Sequence, residues 1–129
     1  MNNSLLIGKY IKKFITEDET LNALIKGQVY PLYTNQETKF PYIVYARTNT
    51  SVTYTKDGLT KDVITVSIVC VSDDYETSLT MANAVRKCFE WGTYKDETIN
   101  IDMCVLANAV ESSFDEGYLQ TLTFNFEII

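Results

Sequence analysis

The chain has 129 residues, of which 46% are hydrophobic and 22% are charged, values that predict one globular domain spanning residues 1–129. Its 17 acidic residues outnumber its 11 Lys and Arg, and the net charge of -6 argues against sequence-specific nucleic acid binding and against anionic membrane surfaces. No apolar stretch approaches the roughly 20 residues of a membrane-spanning helix, and the first residues lack the order of a signal peptide. We therefore expect a soluble protein of the cell interior.

The first third of the chain predicts two helices. Apolar residues between positions 4 and 15 recur at helical spacing with lysines between them, which is typical of an amphipathic helix lying on a sheet. The acidic run Glu17-Asp18-Glu19 suits the first turn of a short second helix, because the positive end of a helix dipole attracts negative charge. Gly27 is placed to end that helix.

Two short strands are expected next. Residues 29–33 predict a strand that Pro31 restricts to a sheet edge or a bulge, because proline has no N–H to donate. After a polar loop at residues 34–39, the β-branched and aromatic run at residues 42–46 predicts a strand buried on both faces or nearly so.

A polar segment rich in Thr, Ser and Asn follows at residues 47–60, and Asp57-Gly58 is the strongest turn signal in the chain. We interpret this segment as an extended β-hairpin arm. Beyond it, an apolar residue at every second position predicts a central strand with one wholly apolar face: Ile64, Val66, Ile68 and Cys70.

The main helix is predicted after this strand. Asp73 and Glu76 have the spacing of a capping box, and Gly92 is placed to take a left-handed cap near Trp91. One face of the helix is expected to contain Leu79, Ala82, Val85 or Arg86, and Phe89.

The last third predicts two strands joined at Asp115-Glu116-Gly117. In the first, the expected apolar face is Ile99, Ile101, Met103 and Val105, and the pattern continues to Val110 before it ends at Ser112-Ser113; in the second, the apolar face is Leu122, Phe124, Phe126 and Ile128. The predicted fold class is α+β, with a mostly antiparallel sheet, helices packed on one face and the extended β-hairpin arm.

No residue pattern indicates catalysis, a cofactor or a metal. The chain contains no histidine, and it lacks the CxxC, GxGxxG and GxxxxGK[ST] motifs. The carboxylates of Asp73-Asp74-Glu76 and of Asp115-Glu116 are interpreted as helix-cap and turn residues. Cys70, Cys88 and Cys104 are odd in number and lie in apolar surroundings, so we expect free thiols that pack as small hydrophobic side chains.

Five of the nine tyrosines lie between positions 30 and 54. Tyr42 and Tyr45 are expected in or near the core, because tyrosine suits a half-buried pleated surface. Tyr54 lies in the polar arm, and an exposed tyrosine is typical of protein interfaces. Stacking on single-stranded bases is the alternative, which the few basic residues of the arm disfavour.

A family pattern runs through the middle of the chain, from roughly Leu21 to Phe89. It consists of a short helical region leading to Val29-Tyr30-Pro31, the element Phe40-Pro41-Tyr42-Ile43-Val44-Tyr45, the Thr-rich arm with Asp57-Gly58, and a strand followed by the main helix. Together these segments resemble the tail completion proteins of long-tailed bacteriophages, also described as tail terminator or tail-to-head joining proteins.

This resemblance implies an α+β subunit of a six-fold ring at the head-proximal end of the phage tail tube. The implied partners are further copies of the chain, the tail tube protein and a head connector or head-closure protein. The implied location is the host bacterial cytoplasm during assembly and then the virion. An acidic surface would also let DNA pass through the lumen of such a ring without sticking.

The residues expected to contact other subunits are those of the arm: Ser51, Val52, Thr53, Tyr54, Thr55, Lys56, Asp57 and Gly58. Three alternatives stay open. The first is a small monomeric binding or regulatory module. The second is another joining component, such as a head-closure or minor capsid protein. The third is an enzyme of unfamiliar type built on Asp, Glu, Tyr and Lys.

Overall fold

The computed structural model describes residues 2–34, 38–58 and 60–129. Within these ranges a 3₁₀ turn at Ser4–Leu6 leads into the helices, which are α1 (Ile7–Glu17), α2 (Glu19–Ile25) and α3 (Tyr75–Phe89). The strands are β1 (Val29–Pro31), β2 (Tyr42–Tyr54), β3 (Thr60–Ser72), β4 (Tyr94–Lys95), β5 (Asn100–Phe114) and β6 (Gly117–Ile128). No helix among the described residues combines the length and apolar composition needed to cross a bilayer.

The strands form one sheet in the order β1-β2-β3-β6-β5-β4. Only the pairing of β1 with β2 is parallel among these strands, which confirms the predicted α+β fold with a mostly antiparallel sheet. β1 is an edge strand, as Pro31 requires, and it ends there because Leu32 takes a left-handed conformation with φ 69°. The polar loop predicted at residues 34–39 lies partly outside the described residues.

The three helices cover one face of the sheet. The core-facing residues of α1 include Ile7, Ile11 and Ile15, which recur every four residues and are at most 1% exposed. They pack with the alternate residues of the central strands, among which Ile64, Ile68 and Phe124 are fully buried. The buried residues at every fourth position of α1 and at every second position of the strands therefore form one core.

The central and closing strands follow the predicted alternation. The predicted core residues of β3 and β6 are all at most 3% exposed. In β2 the prediction of burial on both faces is wrong for one face: Ile43 and Tyr45 are buried under α1, but Tyr42, Val44 and Ala46 are only half-buried. They lie on the opposite face of the sheet, which no described helix covers.

The predicted face of α3 is confirmed at Val85 and Phe89, which are buried, and wrong at Leu79, which is 42% exposed. Met81, which was not predicted to face the core, is fully buried. The helix begins one residue later than expected because Asp74, not Asp73, is the N-cap, and its carboxylate accepts hydrogen bonds from the Thr77 N–H and hydroxyl at 3.0 and 2.8 Å. The helix face that meets the sheet is therefore shifted.

The end of α3 also differs from the prediction. The left-handed residue is Trp91, with φ 64°, and not Gly92. Its backbone N–H donates to the Cys104 carbonyl at 2.7 Å, so a contact with β5 holds this conformation.

The alternation predicted for β5 breaks at a bulge between Ile101 and Met103. A bulge adds one residue and reverses which side chains face the core. Met103 is consequently 38% exposed, and Cys104 takes its place in the core. The strand also continues to Phe114, beyond the end predicted at Ser112-Ser113.

Candidate subunit interface

The predicted arm is the tip of a regular hairpin between β2 and β3. Its turn closes where the Gly58 N–H donates to the Thr55 carbonyl at 3.1 Å, and Gly58 has φ 78°, a conformation that glycine adopts at low cost. Every residue from 51 to 58 is exposed, and Tyr54 is 79% exposed. These residues are available for contact, as expected of Tyr54 from its polar neighbours.

Only the outer part of this hairpin projects beyond the sheet. β3 pairs with β6 as far as Asp62, which lies opposite Ile128. Residues 47–52 of the segment predicted to be an arm are thus part of the sheet body, and residues 53–58, 60 and 61 project. Leu59 lies outside the described residues.

The base of the arm is fixed by polar contacts. The Ser4 hydroxyl donates a hydrogen bond to the Asp62 carboxylate, and the Asn2 amide donates to the Thr60 hydroxyl at 3.4 Å. Lys61 and Glu127 form an ion pair at 2.8 Å across the neighbouring strands. The Glu127 carboxylate raises the pKa of Lys61, so this lysine stays charged. The arm therefore rises from an ordered base.

A second exposed apolar surface lies at the opposite end of the strands. The rings of Phe40 and Tyr42 stack with centroids 5.8 Å apart, and Phe114 is 72% exposed beside them. Gly117 fits against Phe40, because a Cβ there would lie 3.3 Å from the ring. We call Phe40, Tyr42, Phe114 and Gly117 the end groove. The sequence did not predict this groove, because the strand was expected to end at Ser112-Ser113, whereas β5 continues to Phe114.

The uncovered face of the sheet is mostly neutral. Its central positions carry hydroxyl, amide and small apolar side chains, such as Thr65, Thr123 and Asn125, and each is half-buried only by its neighbours in the sheet. Charged groups gather at one end, where Asp102 lies near the pair of Lys61 and Glu127. This face carries few acidic residues, and the acidic ring lumen implied by the resemblance stays a prediction.

The three cysteines are free thiols in the described structure, with Cys70 and Cys104 buried and Cys88 partly buried. Burial raises the pKa of each thiol to about 12. A thiolate is the reactive form, so these groups act as apolar packing. The described residues contain no group of three or more His, Cys, Asp or Glu able to hold a metal ion.

One carboxylate, Asp96, has a pKa lowered to about 2. The cause is structural: the backbone N–H groups of Ile99 and Thr98 donate to it at 2.8 and 2.7 Å, and the hydroxyls of Tyr10 and Tyr94 donate at 3.0 and 3.2 Å. Asp96 thus ties the loop before β5 to α1. Its shifted pKa has this structural explanation.

The tyrosines divide as the sequence analysis predicted. Tyr45 is 6% exposed and lies in the core, Tyr42 is half-buried, and Tyr54 is exposed. Nothing in the structure tests which partner Tyr54 meets, so its role in an interface stays a prediction.

The arrangement of helices and strands recurs in a solved structure described as "Virion of native gene transfer agent (GTA) particle". A chain of that particle is similar to this one with a TM-score of 0.80, covering 92% of this chain and 90% of that chain at 16% sequence identity. The two chains share a fold. No protein-family model and no curated protein matches the sequence.

Proposed function

We propose that this chain is a structural protein of a phage-like virion that caps the head-proximal end of the tail tube and helps join the tube to the head, as a hexameric ring. The observation that carries the proposal is the fold likeness to a chain of a gene transfer agent virion, which extends over nearly the whole length of both chains. The resemblance between residues 21 and 89 and phage tail completion proteins supports the same role.

Two exposed contact surfaces fit a part with neighbours on both sides along the tail axis. The arm projects at one end of the strands, and the end groove with Phe114 lies at the other. Exposed aromatic residues at the two ends are typical of protein interfaces. The proposed partners are the tail tube protein and a head connector or head-closure protein, met in the host cytoplasm during assembly and kept in the virion.

A structural role of this kind requires surfaces that are complementary to the neighbouring virion proteins, and it requires no catalytic turnover. Among the described residues, the groups with strongly shifted pKa values are explained by folding contacts: Asp96 holds a loop, and the three thiols are packed in or near the core. We therefore assign the chain no catalytic residue.

The test is electron microscopy of particles made by the parent phage, or prophage, without this gene. Filled heads beside unattached tails of uncontrolled length are expected, and a plasmid copy of the gene should restore intact particles. Normal virions in the deletion strain would reject the proposal and favour a dispensable binding module. Tails of normal length that fail to join heads would favour a head-closure component.

A further inference from the structure

Both side edges of the sheet contain a long stretch with no partner strand among the described residues. On one side, β1 covers β2 only as far as Tyr45, which leaves residues 46–54 open. On the other side, β4 pairs with β5 only at Asn100 and Ile101, and the Trp91 N–H occupies the Cys104 carbonyl. Residues 105–114 of β5 are then open. We call these the β2 edge and the β5 edge.

Both edges carry few of the features that usually protect an exposed strand. Open edges offer unpaired N–H and C=O groups to any other strand, so proteins normally place lysine or proline on them. The β2 edge and the β5 edge contain no lysine and no proline, and each has one charged residue, Arg47 and Glu111. Each edge has one bulge, which bends the strand but leaves the remaining backbone groups open. Two long edges with so little protection are suited to pairing with another strand.

The directions of the two edges permit pairing between copies. β2 and β6 are parallel to each other, and β5 is antiparallel to both, because each neighbouring pair from β2 to β5 is antiparallel. A second copy placed beside the first by rotation therefore brings its β5 edge antiparallel to the first copy's β2 edge. The contact uses two different surfaces, and a contact of this kind generates a closed ring when the rotation between neighbouring copies closes.

The charges on the two edges are complementary and lie on the same face. Arg47 is opposite Val66 and Glu111 is opposite Gln120, and both partners belong to the helix-covered face. Arg47 donates to the Thr50 hydroxyl at 3.3 Å and makes no ion pair among the described residues. Gln120 and Tyr75 donate to Glu111 at 3.2 and 2.8 Å, which holds the pKa of that carboxyl below its usual range.

We propose that the β2 edge of one copy pairs antiparallel with the β5 edge of the next copy, with Arg47 beside Glu111, so that the sheets of neighbouring copies join into one closed β-barrel wall. This inference rests on the proposed ring and deepens it by naming the surfaces that hold neighbouring subunits together.

The sheet register gives this pairing a geometry that a ring can adopt. Ile43 is opposite Cys70, and Cys70 is opposite Gln120, which in turn is opposite Glu111. Ile43 and Glu111 thus lie level within one copy, and pairing Arg47 with Glu111 shifts the next copy by about four residues, or ~13 Å. The four strands β2, β3, β6 and β5 of one copy span ~19 Å. A shift of ~13 Å over this width corresponds to strands tilted by about 35° from the ring axis, within the range of closed barrels. The bulky helices then belong outside, and the uncovered face lines the lumen.

The first test uses charge reversal in the deletion phage complemented from a plasmid. Arg47→Glu and Glu111→Arg are each expected to reduce intact particles at least tenfold, because each places like charges side by side. The double variant should restore them. A double variant as defective as the single variants would argue against this pairing, and melting of each purified variant checks that the chain still folds.

The second test uses cysteines at Ala46 and Ser112, which the pairing places opposite each other on the uncovered face. Mild oxidation of purified particles carrying A46C and S112C should give a ladder of disulfide-linked multimers. A46C with N108C is the matched control, because residue 108 lies on the same face roughly 13 Å along the strand from residue 112 and should not cross-link. If the deletion strain shows the tail defect but no ladder forms, the edge pairing is wrong and the proposed function stands. Normal virions in the deletion strain would reject both.

Discussion

The hydroxyl of Ser4 donates a hydrogen bond to the carboxylate of Asp62. This contact joins the segment before α1 to β3, the strand that follows the turn of the arm. Asp62 is 7% exposed, and its second oxygen has no hydrogen-bond partner in the structure. A buried carboxylate with so few partners depends strongly on the one it has. The order of the arm base therefore relies on this contact.

The first prediction concerns this contact. Ser4→Ala should lower the free energy of unfolding by about 1–3 kcal/mol, because it leaves the Asp62 carboxylate buried without its donor. Thermal melting of the purified protein measures the loss. Ser113→Ala, at an exposed position of β5, is the control and should melt like the wild type. A Ser4→Ala variant with an unchanged melting temperature would show that the contact contributes nothing.

The second prediction concerns the arm. Deletion of residues 53–58 should leave folding intact, because the sheet pairing between β3 and β6 begins at Asp62. The same deletion should abolish assembly if the arm contacts another subunit. Melting and particle counts from a complemented deletion phage measure the two effects. Assembly at wild-type yield by the shortened chain would remove the arm from the interface.

A single substitution sharpens this test. Tyr54 and Tyr33 are 79% and 77% exposed, so replacing either by serine should change stability little. Tyr54→Ser should reduce particle yield, whereas Tyr33→Ser serves as an equally exposed control away from the arm. Equal yields from both variants would argue against a role for Tyr54.

Several errors of the sequence analysis share one physical cause, which is that a local pattern does not include the contacts that set its register. The periodicity in α3 allows a face through Leu79 or one through Met81, and the Asp74 cap together with the packing on β3 and β6 selects the latter. The bulge that places Cys104 in the core adds a residue without changing the composition. Strands with strict alternation, such as β6, were predictable because one face is wholly apolar.

The candidate interface was predictable only in part. The turn at Asp57-Gly58 and the exposure of Tyr54 follow from local sequence, because glycine and polar neighbours determine them. The open edges of β2 and β5 could not be predicted, since they depend on how short β1 and β4 are and where they pair. The end groove depends on β5 reaching Phe114.

The third prediction concerns acid. The pKa of Asp96 is lowered to about 2 by hydrogen bonds that favour its charged form. A carboxyl with a lowered folded-state pKa contributes stability above its unfolded pKa of about 4, and this stability is lost as the pH falls towards 2. Asp96→Asn should lower the melting temperature at pH 7. Between pH 4 and 2.5 the melting temperature of this variant should fall less steeply than that of the wild type. Glu116→Gln, in an exposed turn, is the control. The idea fails if Asp96→Asn and the wild type show the same melting temperatures throughout this range.

The fourth prediction concerns the thiols. Because burial raises the pKa of Cys70, Cys88 and Cys104 to about 12, the folded protein should react very slowly with a thiol reagent at pH 8. The denatured protein should release three equivalents rapidly. Fast reaction of the native protein would show that these side chains are accessible. Slow reaction would also confirm that engineered cysteines can be cross-linked without removing the native ones.

The fifth prediction concerns the uncovered face of the sheet. If this face lines a ring lumen, Thr123→Lys should allow particles to form but reduce DNA delivery several-fold, because lysine attracts the phosphate backbone. Thr123→Glu is the matched control at the same site, and Thr80→Lys places the same charge on the exposed side of α3. Infectivity per particle is the measurement. Equal infectivity for all three variants would place this face away from the DNA path.

The contact between Trp91 and Cys104 gives the molecule a natural reporter. Trp91 is the single tryptophan of the chain and is 68% exposed, and its backbone N–H is hydrogen-bonded to β5 one residue before the open edge. Its fluorescence therefore originates beside the place where a neighbouring strand would dock. The wavelength of that emission can follow assembly in unlabelled wild-type protein, at dilutions too low for microscopy.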